Sequence, residues 1–258
     1  MKTLRVIKIG GNVIDNPDKL SSFLDDFNKI EELKILVHGG GKRASTISTS
    51  MGITPKLIDG RRITDAATLE VVTMVYGGLI NKNIVAQLQH RKCDALGFTG
   101  ADFNIIPAYK RKHPEIDFGF VGDFEVQDIK TEKLEWLING GAVPVFCALT
   151  HDQQGSLLNT NADTLASGIA SALSAQFDVQ LEYCFEKPGV LRDPNNDASF
   201  MESLKQSEVE QLKKAGIISE GMIPKLKNGF DALTAGVKQV IVKSSEALLK
   251  DQGTILYN

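Results

Sequence analysis

Apolar residues in this 258-residue chain gather in short runs of two kinds, and their alternation predicts the fold. LRVIKI (4–9) and LKILVH (33–38) are nearly continuous and β-rich, as expected of strands buried on both faces. Between them, Leu20, Leu24, Phe27 and Ile30 recur at helical spacing behind Asn16, an N-cap residue, and Pro17, which suits the first helical position. Strand, helix and strand in succession argue a parallel α/β unit. A further helix is expected after the glycines at 39–41, and a helical pattern runs from Thr64 to His90, open to a break at Gly77-Gly78. DALGF (94–98), NIIPAY (104–109) and the hairpin-like DFGFVGDFEVQ (117–127) carry strand signals, before a helix at 131–139 and a buried strand AVPVFCAL (142–149). The loop THDQQGS (150–156) leads to a small-residue helix within NTNADTLASGIASAL (159–173). VQLEYCF (179–185) then reads as a strand, SEVEQLKKAG (207–216) as a helix and VKQVIV (237–242) as a strand. The expected fold is α/β: an open, mainly parallel central sheet flanked by helices, in two lobes covering 1–155 and 156–258.

Composition narrows the partners. A net charge of -3 with acids and bases interspersed offers no basic stripe to nucleic acid and no basic amphipathic segment to a membrane. No apolar stretch reaches the ~20 residues of a membrane span, and Met1 runs into a strand without a leader-like segment, so a cytoplasmic location is expected. Cys93, Cys147 and Cys184 are odd in number and set among apolar residues, which fits buried reduced thiols. The four histidines are scattered, none in HExxH, so no metal site is expected.

The chemistry gathers at glycine turns. LVHGGGKRAS (36–45) sets three glycines after an apolar run, where an unshielded backbone can approach an anion. A Walker loop fails, because Leu36 and Arg43 stand where it needs glycine and a hydroxyl residue. A dinucleotide fingerprint is met on paper by Gly39, Gly41 and Ala44 with Asp59 as ribose acid, although Asp59 follows the proline-containing MGITPKLI rather than ending a second strand. Lys8 stands just before Ile9-Gly10-Gly11, so two glycine turns would meet at the carboxyl edge of the sheet, where ligands bind. In DGRRITD (59–65), Arg62 could grip a carboxylate and Thr64 could cap the next helix. NTNAD (159–163) opens a helix, and in GMIPK (221–225) Lys225 projects from a first helical turn, where a cation invites an anion. Each cluster alone also has a plain account as a turn, a cap or a solvated charge.

Together and in this order, IKIGGNVID, VHGGGKRAS, GRRITD, NKNIVAQL, FTGADFNII, DFGFVGD, LLNTNADTLASGIA, PGVLRD and GIISEGMIPKLKNGFDAL resemble the amino acid kinase family, most closely its N-acetylglutamate kinases of arginine biosynthesis. The resemblance implies phosphoryl transfer from ATP, with Mg2+ bound through the nucleotide, to the side-chain carboxylate of an N-acyl-L-glutamate, either N-acetyl or N-succinyl. It implies that Lys8 and Lys225 neutralise the transferring group while Asp163 holds them. Gly10, Gly11, Gly40 and Gly41 would supply backbone donors, and Arg62 and Asn159 would bind the glutamyl part. The nucleotide would lie by Gly10, Gly11, Gly189, Gly221 and Met222. Residues 1–155 would bind acylglutamate and form a homodimer, leaving the nucleotide to 156–258. A carboxylate nucleophile is already ionised at neutral pH, which agrees with the lack of a poised histidine or cysteine base.

Three departures stand out. Phe185-Glu186-Lys187 replaces the family's usual Thr-Asp or Ser-Asp, and Lys42 and Arg43 follow the glycines where a small residue is usual. The chain also starts without the helical extension that builds arginine-sensitive hexamers, so an unregulated dimer is expected. The rival readings are a catalytically silent ATP or amino-acid sensor of the same fold and an NAD-dependent oxidoreductase.

Overall fold

The computed structural model describes residues 1–58, 61–218 and 221–258. Asp59 and the Ser219-Glu220 pair of the GIISEGMIPK segment lie outside the described residues. Strand β1 (Thr3–Ile9) leads through α1 (Gly11–Ile14) and α2 (Pro17–Asn28) to β2 (Leu33–His38) and α3 (Gly41–Ser50). A small antiparallel ladder, β3 (Leu57–Ile58) with β4 (Arg61–Arg62), precedes α4 (Ala66–Val72), a π-helical segment (Thr73–Ile80) and α5 (Asn81–His90). Next come β5 (Ala95–Phe98), a ladder of β6 (Tyr109–Lys110) with β7 (Gly122–Asp123), α6 (Thr131–Asn139), β8 (Val143–Cys147), and a ladder of β9 (Leu149–His151) with β10 (Leu157–Asn159). Then follow α7 (Ala162–Leu173), β11 (Asp178–Phe185), β12 (Ser203–Lys205), α8 (Val209–Lys214), α9 (Ile223–Thr234), β13 (Gln239–Ser244) and β14 (Thr254–Tyr257).

Among the described residues, eight strands form the central sheet in the order β12-β14-β13-β11-β1-β2-β8-β5, and every ladder is parallel except β13 with β14. The parallel strands bring their carboxyl ends to one edge, with Lys8, His38 and Cys147 near it. The two-residue period of β1 sends Leu4 and Val6 into the core layer shared with α7 and α9, and Ile7 and Ile9 into the layer shared with α2 and α5. Lys8 follows Leu4 and Val6 to the α7 side.

Asn16 caps α2, accepting from Asp18 N at 3.1 Å and Lys19 N at 3.0 Å. The far end of α2 is closed by the buried Lys34, whose Nζ donates to the carbonyls of Phe27, Asn28 and Ile30 at 2.9, 3.1 and 2.8 Å. Cys93, Cys147 and Cys184 are buried and unpaired.

Several local expectations change. Thr64 is not a cap: its N–H and C=O are taken by Phe118 O and Phe120 N, which holds it extended, so Asp65 caps α4 instead. Gly77-Gly78 does not break the helix, because the π-helical segment carries the chain through both residues. NIIPAY contributes only Tyr109 to a strand, and the helix within 207–216 ends at Lys214.

Candidate active site

Lys8, Asp163 and Lys225 meet at the carboxyl edge. Asn161 caps α7 by accepting from Asp163 N and Thr164 N at 2.9 and 3.0 Å, which frees the Asp163 side chain to turn inward. Lys8 Nζ lies 2.7 Å from Oδ1 as an ion pair, off the hydrogen-bonding direction, while Lys225 Nζ donates to Oδ2 at 2.9 Å. Burial alone would raise this carboxyl, but the charges of Lys8 and Lys225 outweigh it and hold Asp163 below the usual aspartate range. Two cations on one carboxylate leave a net positive charge facing the edge.

Beside them opens a cavity of about 360 Å³ whose lining includes Lys8, Gly11, Gly40, Gly41, Arg62 and Asn159. Gly40 precedes α3 with φ of +154°, and a Cβ there would collide with Ile80 Cδ1 and press on Tyr76. Without a side-chain cap, α3 leaves its first N–H groups open to an anion. Gly10 departs from the expectation: its N–H is committed to Cys184 O at 2.9 Å, so of that pair only Gly11 remains as a donor.

Arg62 is buried, and its Nη2 donates to Gly41 O at 2.9 Å and Ser45 Oγ at 2.7 Å. Its Nη1 is buried with no hydrogen-bond partner among the described residues. Such a nitrogen calls for an acceptor from a ligand. Asn159 ends β10 and donates from Nδ2 to Thr64 Oγ1 at 3.0 Å, which leaves its Oδ1 to accept.

Sequence reasoning missed Asn12, Ser45, Tyr76 and Arg111. Tyr76 and Arg111 line the cavity, and Arg111 grips Asp123 with two bonds of 2.9 and 2.5 Å. Asn12 in α1 links α3 to the end of β11, donating to Glu186 Oε1 at 2.7 Å and accepting from Lys42 Nζ. Lys42 lines this cavity and also a neighbouring one, which Arg43 faces with Ile14, Pro17, Leu20 and Leu79. Arg43 is not among the residues that line the first cavity.

On the other half of the edge, a recess of about 220 Å³ is lined by Gly189 and Met222 with Glu186, Lys187, Val190 and Ile218. Gly221 adjoins it through Met222. Gly189 is constrained by packing: a Cβ would stand 2.5 Å from Thr254 Oγ1, which also accepts from Val190 N at 2.8 Å. Among the described residues, no group of three or more His, Cys, Asp or Glu could hold a metal ion, and no helix is long and apolar enough to cross a membrane.

Comparison with known proteins places this geometry. The model of the amino acid kinase family matches residues 3–244. The acetylglutamate kinase of Bacteroides fragilis is 53% identical over 251 residues, covering 97% of this chain and 95% of its own length. That of Parabacteroides distasonis is 49% identical over 257 residues, covering 100% of each. Among solved structures, a protein of Streptococcus mutans UA159 superposes with a TM-score of 0.82 at 25% identity, covering 98% of both chains.

Proposed function

The chain belongs to the amino acid kinase family, and from that premise we propose that it phosphorylates the side-chain carboxylate of N-acetyl-L-glutamate with ATP, giving an acyl phosphate for arginine biosynthesis. The observation that carries this reading is the Lys8–Asp163–Lys225 cluster beside a cavity into which a buried Arg62 brings an unpaired nitrogen.

Phosphoryl transfer asks mainly for in-line positioning and charge neutralisation. Arg62 holds the α-carboxylate through Nη1, and Asn159 Oδ1 accepts the amide N–H of the acyl group. Gly11, Gly40 and Gly41 turn backbone N–H groups to the transferring phosphoryl oxygens. Lys8 and Lys225 neutralise the charge that shifts onto the bridging oxygens, while Asp163 keeps them apart and directed. The apolar wall of the 220 Å³ recess suits a purine ring, with Gly189, Gly221 and Met222 on its border. Mg2+ would travel on the nucleotide phosphates, since both Asp163 oxygens already face lysines; it would add further neutralisation of the phosphates. We assign acylglutamate mainly to residues 1–155, with Asn159 reaching in from just beyond them, and nucleotide mainly to 156–258, and expect a cytoplasmic homodimer.

Hydroxamate trapping tests the reaction. ATP with N-acetylglutamate should give a hydroxamate, and unacylated glutamate should not. N-succinylglutamate in the same panel reports on the acyl group. No hydroxamate from any acylglutamate, with ATP still bound, would leave a silent sensor in place of a kinase.

A further inference from the structure

On the reading of the cavity given above, we infer that His38 and Asn81, which lie beneath the glycine turn and outside the cavity, are positioning residues that aim the Gly40 N–H at the transferring phosphoryl group. His38 ends β2 and is fully buried. Its Nδ1 lies 2.9 Å from Gly39 O and its Nε2 lies 3.1 Å from Asn81 Nδ2. Asn81 Nδ2 also donates to Val145 O at 2.9 Å. An amide nitrogen serves both contacts only as a donor, so Nε2 must accept and the ring proton must sit on Nδ1. Nδ1 then donates to Gly39 O.

In a planar trans peptide, a carbonyl and the N–H that follows it point in opposite directions. Holding the Gly39 carbonyl toward the ring therefore turns the Gly40 N–H away from it, to the side where the glycines line the cavity. That N–H finds no acceptor among the described residues. Asn81 is itself held in place. It follows directly on the π-helical segment whose Tyr76 and Ile80 leave no room for a Cβ at Gly40, and a Cβ at Gly97 would collide with its Oδ1. Burial lowers the His38 imidazole to about 4 against the opposing pull of the Gly39 carbonyl, which keeps the ring neutral, with one donor and one acceptor, at working pH.

Two variants separate the ring nitrogens. The carboxamide of His38→Asn can reach the Nδ1 position and restore a donor to Gly39 O, whereas that of His38→Gln reaches the Nε2 position. His38→Asn should keep kcat within about fivefold of the parent, and His38→Gln should lose about thirtyfold or more with the KM for ATP little changed. Equal kcat per folded molecule in the two variants would overturn the inference. Long-range 15N–1H spectra of the imidazoles should show an Nδ1–H tautomer that disappears in His38→Asn; an Nε2–H tautomer for His38 in the parent would equally overturn it. Failure of the parent to make acyl phosphate would instead sink the reading of the cavity and this role with it, so the two failures appear on different signals.

Discussion

Replacing Asp163 by Asn keeps the shape of the side chain and removes the one negative charge between Lys8 and Lys225, whose ammonium groups lie 2.7 and 2.9 Å from its oxygens. Two unit positive charges on the order of 5 Å apart repel by about 3 kcal/mol at an effective dielectric constant of about 20. The pair must swing apart or shed a proton, and either response takes an aligned cation from the phosphoryl group. Losing one aligned donor typically costs about 10²–10³ in kcat, about 2.7–4 kcal/mol, which is the size of that repulsion. At saturating ATP and N-acetylglutamate, hydroxamate formation by Asp163→Asn should fall by about that factor while each KM moves less than about threefold. In a Lys8→Met background the same change should cost far less. A kcat within about threefold of the parent, or full additivity with Lys8→Met, refutes the shared role. The acid limb gives a second check. A carboxyl held below its unfolded value contributes stability above that value, near ~3.9, and loses it as pH falls through the folded one, so the parent's Tm should drop more steeply below about pH 4 than that of Asp163→Asn.

Arg62→Lys loses the planar fork in which Nη2 serves Gly41 O and Ser45 Oγ while Nη1 stays free for a ligand, and should raise the KM for N-acetylglutamate at least ~tenfold, about 1.4 kcal/mol, with the KM for ATP unchanged; an unchanged acylglutamate KM removes it from the site. Lys34→Met strips the shared donor from three carbonyls and should destabilise by about 2–4 kcal/mol in chemical denaturation, with kcat per folded molecule unaltered; a loss below about 0.5 kcal/mol would show the carbonyls to be solvated. Lys42→Ala should alter the ratio of kcat/KM for N-succinylglutamate to that for N-acetylglutamate, while Arg43→Ala, facing the other cavity, should not; a ratio unmoved by Lys42→Ala separates that residue from the acyl group.

The parallel pairing of the first two strands was legible because LRVIKI and LKILVH are nearly continuous apolar runs, and Asn16-Pro17 named its helix start correctly, whereas β12 and β14 and the order of the sheet were not read. Gly77-Gly78 misled, since helical glycines look like breaks until the wider π-helical turn is seen to absorb them. In NTNAD, the two asparagines and the aspartate, all of cap type, divide their work: Asn161 caps, Asp163 faces two lysines, and Asn159 belongs to a strand. Nothing in their spacing says so, because Lys8 and Lys225 reach Asp163 only through the parallel stacking of β1 beside β11 and the packing of α9 on α7. The family resemblance, rather than periodicity, joined them. His38 and Asn81 left one faint trace, a polar residue ending an apolar strand and another inside an apolar helical pattern. Gly10 was read as a donor because a carbonyl from a strand more than 170 residues away cannot be seen from its neighbours.

The place of β1 between β2 and β11 has a consequence for synthesis. Its first neighbour leaves the ribosome early, but the residues that cover its other side begin only at Asp178. At about 5–20 residues per second, the nascent chain carries β1 with one side bare for on the order of ten seconds. A bare apolar strand recruits foreign strands, and charges within it discourage that. Arg5 and Lys8 are the charges in LRVIKI, and for most of that interval neither Glu182 nor Asp163 has been made to pair with them. Lys8 would thus guard the growing chain before it meets a phosphate. Chains arrested before Asp163 should stay dispersed with Lys8 present and aggregate faster with Lys8→Met, whereas chains arrested beyond β11 should show no such difference.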